Sequence, residues 1–307
     1  MTPFRFGEAV QSVECPRGLV VKSRPMSLAK PIVFFIHGLN TFGDDQFHIG
    51  PLVLGPMHQH WKPRLEAAGF EFHSLDEMGF GAFDDQVDRA VRKIIRAIDA
   101  RAKAEIHLFG HSMGGLVARG VGAKLAAAGF SVKSIITLGT PHQGTTATEG
   151  AFDLSKNSPR LYRTLKWFGY DLEMRREALV HFTMDRVRAY TDRHPVLEGV
   201  DCVSLVGACR REQLGLAFQL IYAKLHKNGE PSDGLIAADS QEWARVGGVF
   251  QLDHAAELGL FTQVMPSARK ASAREFERLA ATVVTIIRGA TVEAAGGVAA
   301  APAPVSE

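Results

Sequence analysis

One serine in the chain stands in a setting that could make it a nucleophile. The pentapeptide Gly110-His111-Ser112-Met113-Gly114, followed by Gly115, lies between the apolar run Ile106-His107-Leu108-Phe109 and a small-residue stretch, Ser112 to Ala128, that reads as a buried helix. A G-x-S-x-G pattern occurs by chance, but a strand before it and a helix after it give it a mechanism. Such a turn is so sharp that the serine takes a strained conformation, and glycines at 110 and 114 keep strand and helix from colliding. It also lifts the hydroxyl beyond the sheet and aims the first free N–H groups of the helix at a developing oxyanion. A Walker-type phosphate cradle would need Gly-Lys-Ser/Thr, which is absent.

A serine hydroxyl attacks an ester only with a base, and the base needs a third group to set its tautomer. In elbows of this kind the acid and then the histidine follow along the chain. Of the twelve histidines, His254 fits best, in Leu252-Asp253-His254-Ala255-Ala256 directly after the last strand expected. His142 sits in a turn, His181 and His194 lie in an insertion, and His226 ends a helix. Asp233, in the turn Ser232-Asp233-Gly234-Leu235-Ile236, is the expected acid; Asp239 is a rival, and Asp201 precedes a strand, the wrong end of a parallel sheet. The oxyanion donors expected are the N–H groups of Met113 and of Leu39, in His37-Gly38-Leu39-Asn40. His37 itself reads as a buried structural histidine that hydrogen-bonds this loop.

The elements that must position these residues alternate. Ile32-Val33-Phe34-Phe35-Ile36 is a continuous apolar run, as in a strand buried on both faces of a parallel sheet. Helix is expected over Trp61 to Ala68, closed by Gly69, then strand over Phe70 to Leu75. An amphipathic helix follows over Asp84 to Ala102, with Val87, Val91, Ile94, Ile95 and Ile98 on its stripe. The elbow strand and helix come next, then a strand over Val132 to Leu138. This order builds an α/β protein with a mostly parallel sheet and helices on both faces. From about 146 to 195 the alternation breaks into a helical cap insertion carrying Leu161, Leu165, Trp167, Phe168 and Tyr170, with helix over Glu173 to Tyr190. Strand returns at Cys202 to Val206, a second helical insertion spans about 212–227, and Val249 to Leu252 and Ser272 to Arg288 read as the last strand and helix. The expected organisation is a lead-in over 1–30, one domain over 31–288 and a disordered tail over 289–307, poor in large side chains.

With 307 residues and 46% hydrophobic residues, the chain has material for a sizeable core. Lys+Arg 35 against Asp+Glu 33 leaves no basic stripe for nucleic acid. Arg175, Arg176, Arg186 and Arg188 read as a solvated helix face. The opening residues lack the apolar core of a secretory signal, and no run is long enough to span a membrane, so a cytoplasmic protein is the expectation. Cys15, Cys202 and Cys209 then read as reduced thiols, although the spacing leaves a Cys202–Cys209 disulfide open.

On these residues the chain resembles the α/β-hydrolase superfamily, and within it the bacterial triacylglycerol lipases and related serine esterases. Ile32 to Leu39 is similar to that family's strand into an oxyanion loop. Ile135 to Gly144, with Pro141-His142-Gln143-Gly144, is similar to its Pro-His-x-Gly turn, and Ser232 to Ile236 to its Asp-Gly-Leu-Val acid turn. The resemblance covers roughly residues 30–290. It implies hydrolysis of acyl esters, small or lipid-like, through an acyl-enzyme, with the cap as a lid. Several members bind calcium through an aspartate shortly after the histidine; here Ala255, Ala256 and Glu257 follow, so neither metal nor cofactor is expected. The loop Thr41 to His60, with Asp44, Asp45, His48, His58 and His60, reads as polar surface rather than a metal site. Thioesterases and acyltransferases use the same triad, and a non-catalytic binding protein would have lost a triad member. Membrane-surface contact and oligomeric state are left open.

Overall fold

The computed structural model describes residues 30–38, 46–49, 52–75, 82–98, 104–145, 163, 181, 183–216, 218, 219, 222 and 230–289. Six strands form one parallel sheet: β1 (Ile32–Ile36), β4 (Glu71–Ser74), β5 (Ile106–His111), β6 (Val132–Leu138), β7 (Asp201–Gly207) and β8 (Arg245–Phe250), in the order β4-β1-β5-β6-β7-β8. Every pairing in it is parallel. The chain therefore runs from β1 outward to β4 and crosses back to β5, so β1 and β5 flank the place where the winding reverses. Crevices at such switch points, beyond the carboxyl ends of the strands, are where open α/β sheets place their ligands.

The alternation within each strand decides which face a side chain serves. Val33, Phe35, Phe109, Ile136, Leu138, Val203, Leu205 and Phe250 lie on one face, against Trp61 and Leu65 of α1 (Trp61–Ala67) and Phe276, Leu279 and Val283 of α5 (Pro266–Ile287). Ile32, Phe34, Ile36, Ile106, Leu108 and Ile135 lie on the other, against Val87, Ala90 and Ile94 of α2 (Phe83–Ile98) and Val117, Val121 and Leu125 of α3 (Met113–Ala127). Helices on both faces explain why β1 carries no polar side chain at all: all five of its residues are buried.

The helix α4 (Met184–Arg193) returns from the insertion and docks on α3 through two polar anchors. Tyr190 Oη donates to the Leu116 carbonyl at 3.0 Å. Arg119, buried in α3, donates to the carbonyls of Thr191 and His194 and lies 4.3 Å over the Trp243 ring. A guanidinium at the carbonyl end of a helix meets both its charge and its unsatisfied acceptors.

The structure departs from the sequence reading at several places. Residues 46–49 and 52–56, expected as loop, pair as an antiparallel hairpin, β2 (Gln46–Ile49) with β3 (Leu52–Pro56). The last strand begins at Arg245 rather than Val249, because β8 is an edge strand, half exposed and interrupted by Gly247 and Gly248, and lacks the apolar run of a central strand. Helix α5 begins at Pro266, six residues before its expected start, its first turn exposed and opened by proline. Ile95, placed on the buried stripe of α2, is exposed, and Ala90 fills that face instead. The second insertion starts as a short 3₁₀ turn, Arg211–Gln213, with Leu214, Phe218 and Tyr222 buried in the core. The lead-in before residue 30, the tail after 289, most of the cap insertion (with Arg175, Arg176 and the aromatics at 167–170) and Cys15 lie outside the described residues. Cys202 and Cys209 are free, buried thiols. Among the described residues no helix is long and apolar enough to cross a membrane.

His107 of β5 shows what a buried imidazole costs this sheet. Its Nδ1 lies 2.9 Å from Ser134 Oγ of β6. Burial, modified by Glu105 and Lys133, pulls its pKa from 6.5 to about 4. Below 6.5 the unfolded chain takes up a proton that the folded one refuses until about 4, so this contribution to stability is complete above 6.5 and lost as pH falls through that window. The melting temperature should fall between these pH values, and His107→Gln, which keeps a partner for Ser134, should flatten that fall. An unchanged slope in the variant would assign the acid sensitivity to other groups.

Candidate active site

Ser112 sits between β5 and α3 with φ 55° and ψ −129°, and among the described residues it is the one non-glycine with positive φ. Such backbone costs on the order of 1–3 kcal/mol and persists only where its surroundings over-determine it. They do so here. The Ser112 N–H donates to the Leu138 carbonyl of β6 at 2.9 Å. A β-carbon at Gly110 would lie 2.5 Å from the Gly114 carbonyl oxygen and Gly115 Cα, and one at Gly114 would overlap the Ile36 carbonyl of β1. Strand, helix and the neighbouring strand thus touch main chain to main chain, which no side chain permits.

Two groups face the elbow from its own helix and from β1. Met113 is the first residue of α3, so its N–H has no acceptor within the helix; its Sδ receives a hydrogen bond from Gln86 Nε2 at 3.6 Å. The chain leaving β1 passes directly over the serine, since a β-carbon at Gly38 would meet Ser112 Cβ at 2.6 Å and Oγ at 3.1 Å. His37 is buried, with Nδ1 2.8 Å from the Gly38 carbonyl. Leu39, the expected second oxyanion donor, lies outside the described residues.

The residues expected as acid and base come together from two loops at the same end of the sheet. His254 Nδ1 lies 2.8 Å from Asp233 Oδ2, and the His254 N–H donates to the Asp233 carbonyl at 2.9 Å. The other oxygen, Asp233 Oδ1, accepts from the N–H groups of Leu235 at 2.8 Å and Ile236 at 2.7 Å. These bonds leave Oδ2 to receive the ring proton and fix which nitrogen of His254 carries it. The His254 ring then packs on that of His111 with centroids 4.6 Å apart, which places the base beside the residue preceding Ser112. Gln241 braces the acid turn, donating to the carbonyls of Gly207 and Ile236 and accepting from the Gly207 N–H.

The rival residues fall elsewhere. Asp201 is exposed at the start of β7 and pairs with Arg245 at 2.9 Å; Asp239 accepts from the Ser240 N–H. His142 is buried between Arg119 and Thr137, His194 bonds the Tyr190 carbonyl, and His226 lies outside the described residues.

Two carboxyls at the site were not singled out from sequence. Asp253 is buried and accepts from the N–H groups of Gly215 and Ala256 and from Gln263 Nε2, tying the second insertion to the loop of the base. Burial pushes its pKa up against those hydrogen bonds. Glu257 is fully buried, its Oε2 3.0 Å from His111 Nε2 and 3.5 Å from His254 Nδ1. Burial first, then Asp233 and Asp253, push its carboxyl well above the ordinary range. Burial, then His254, holds His111 well below the ordinary imidazole value, and its Nδ1 has no hydrogen-bond partner among the described residues. The available signal was the spacing of Glu257 three residues after His254, which a short turn brings to one side. Among the described residues, His111, His254 and Glu257 form a group whose ligand-type atoms lie within 4.8 Å of one another, as an ion would need. Those atoms already engage one another and Asp233, which an ion would have to displace.

Comparison with known proteins gives consistent results. Residues 70–227 match the family model of the PGAP1-like alpha/beta domain. Triacylglycerol lipase 2 of Saccharomyces cerevisiae is 24% identical over 213 residues, 64% of this chain and 61% of the yeast protein, so the chain spans less than two-thirds of that relative. The mature lipase BlEst2 of Bacillus licheniformis superposes with a TM-score of 0.59 at 17% identity, over 84% of this chain and 94% of that one. The metagenomic carboxyl esterase MGS0156 does so with a TM-score of 0.58 at 14% identity, over 86% and 80% respectively. At such identities the likeness is one of fold, and the fold is that of the α/β-hydrolases.

The contact of Gly114 with β1 yields a direct test of the elbow. Gly114→Ala should cost more than about 3 kcal/mol in denaturant unfolding, because the added methyl meets rigid main chain. A variant as stable as the parent would show that helix and strand can part without loss.

Proposed function

Because the chain belongs to the family of PGAP1-like alpha/beta domains, we propose that it is a serine carboxylic-ester hydrolase acting on acyl esters through an acyl-enzyme. The observation that carries this reading is the hydrogen-bonded pair His254–Asp233, packed through His111 against a serine held at positive φ. In the proposed reaction His254 Nε2 takes the proton of Ser112 Oγ as that oxygen attacks the ester carbonyl. Asp233 holds the ring proton on Nδ1 and stabilises the imidazolium that forms. The oxyanion of the tetrahedral intermediate is met by the N–H of Met113 and, from the loop after β1, that of Leu39. His254 then returns the proton to the leaving alkoxide, and water repeats the sequence on the acyl-Ser112. The reaction as drawn requires neither metal nor cofactor.

A lipid-like acyl group is proposed as the substrate class. Its support is the yeast relative, named a triacylglycerol lipase, and the apolar residues that the sequence carries between 146 and 195.

The test is turnover of p-nitrophenyl esters of graded acyl length, with and without a chelator. Wild-type activity should resist the chelator. It should vanish in Ser112→Ala at unchanged melting temperature, and fall by about 10⁴ in Asp233→Asn, whose amide would misplace the ring proton. Rising turnover with acyl length would support the lipid-like substrate. Activity that survives in Ser112→Ala, or a folded wild type that turns over no ester, would sink the proposal.

A further inference from the structure

Glu257 is an expensive residue in its place. Its side chain is fully buried, and Oε1 has no hydrogen-bond partner among the described residues. The space it occupies is opened by glycines at the ends of two strands: a β-carbon at Gly139, after β6, would run into Oε2, and one at Gly207, in β7, into Oε1. Its own main chain is anchored, the carbonyl accepting from Trp61 Nε1 at 3.1 Å. The 3₁₀ turn Ala256–Leu258 carries the carboxyl back beside His254. A socket of this shape holds a carboxyl group at a defined point between the elbow strand and the loop of the base.

Which protonation state fits the socket follows from what surrounds it. Asp233 faces Glu257 from the acid turn, Asp253 and His254 from the loop of the base, His111 from β5 and Cys209 from the end of β7. No lysine or arginine is among these groups. An ionised Glu257 would place a second anion beside His254 Nδ1, in competition with Asp233 for the ring proton, and leave Oε1 charged and unsatisfied. A protonated His111 would be a buried cation facing His254 and His37. A neutral acid donating to a neutral imidazole avoids both costs.

Resting on the hydrolase reading above, we propose that Glu257 is a positioning residue for that reaction: a neutral carboxylic acid whose Oε2–H donates to His111 Nε2 and so keeps nucleophile elbow and base in register. His111, whose ring supports that of His254, is thereby held by the loop that carries the base. Asp233 alone accepts the hydrogen bond from His254 Nδ1–H. Loss of the link lets the two loops drift, and displacement of reacting groups by ~1 Å costs on the order of 100-fold in rate.

Two substitutions separate this role from packing. Glu257→Leu fills the socket without a donor; it should lower kcat for p-nitrophenyl esters by about 100-fold at unchanged KM. Glu257→Gln, which can donate to His111 Nε2, should recover most of the lost kcat. Wild-type kcat in the Leu variant, or a Gln variant as impaired as Leu, would overturn the proposal. A third readout does not depend on turnover. In ¹⁵N-labelled wild type at neutral pH, His111 should show Nδ1 protonated and Nε2 unprotonated, and a protonated Nε2 would also overturn it. Should wild type turn over no ester while His111 shows the expected tautomer, it is the hydrolase reading that fails, and the hydrogen bond stands.

Discussion

The main chain passes from β5 into α3 through a single residue, and most of the architecture around the site is what that turn requires. At φ 55° Ser112 cannot relax unless the helix moves, and the helix cannot move because its first turn rests on main chain. Gly110 lies against Gly114 and Gly115, and Gly114 against the Ile36 carbonyl. This contact needs β1 immediately beside β5, which the order β4-β1-β5 supplies. The same adjacency brings the chain leaving β1 over the serine at Gly38. One strained residue thus fixes its own hydroxyl, the start of the helix above it and the approach of the facing loop. Its cost is met by the buried faces of the sheet together with the bond from the Ser112 N–H to the Leu138 carbonyl.

The opposite half of the site is built from hydrogen bonds instead of close packing. The acid turn and the loop of the base are joined by main chain, His254 N–H to the Asp233 carbonyl, before their side chains meet. Each loop is then tied to something further away. Gln241 fastens the acid turn to the end of β7, and Asp253 fastens the loop of the base to Gly215 in the second insertion. Leu214 and Phe218, from that insertion, also close over Gly234 in the acid turn. Gly215 of the insertion is therefore part of what holds the loop of His254.

How much of this was legible depended on whether the cause was local. The elbow is a local object: five residues between a strand and a helix carry its whole signature, and Ser112 could be named from them. The central strands β1, β5, β6 and β7 were readable because burial on both faces demands mostly apolar residues, uninterrupted in β1 and broken by few polar ones in the others. The edge strand β8 was misplaced because one exposed side releases it from that demand. The hairpin of β2 and β3 was missed because its ladder lies outside the main sheet, in a segment rich in histidine, proline and glycine. Asp233 and His254 could be paired from chain order, yet the two carboxyls beside them could not. Their environment is assembled from β5, β6, β7 and two loops, and no window of sequence contains it.

Three carboxyl groups, those of Asp233, Asp253 and Glu257, share a small buried volume with two imidazoles, and their hydrogen bonds sort them. Asp233 receives two main-chain N–H groups on one oxygen and the His254 ring on the other. Asp253 receives two main-chain N–H groups and an amide. Both have donors directed at each oxygen. Glu257 has one oxygen against His111 and none against the other. A buried group so poorly supplied with donors does better by carrying a proton of its own. Chemically similar side chains are thereby given different surroundings by the count of N–H groups the backbone aims at them: one engages an imidazole, one braces a loop, and one keeps an oxygen without a donor. The difference is written in the loops, and the acids themselves contribute little to it.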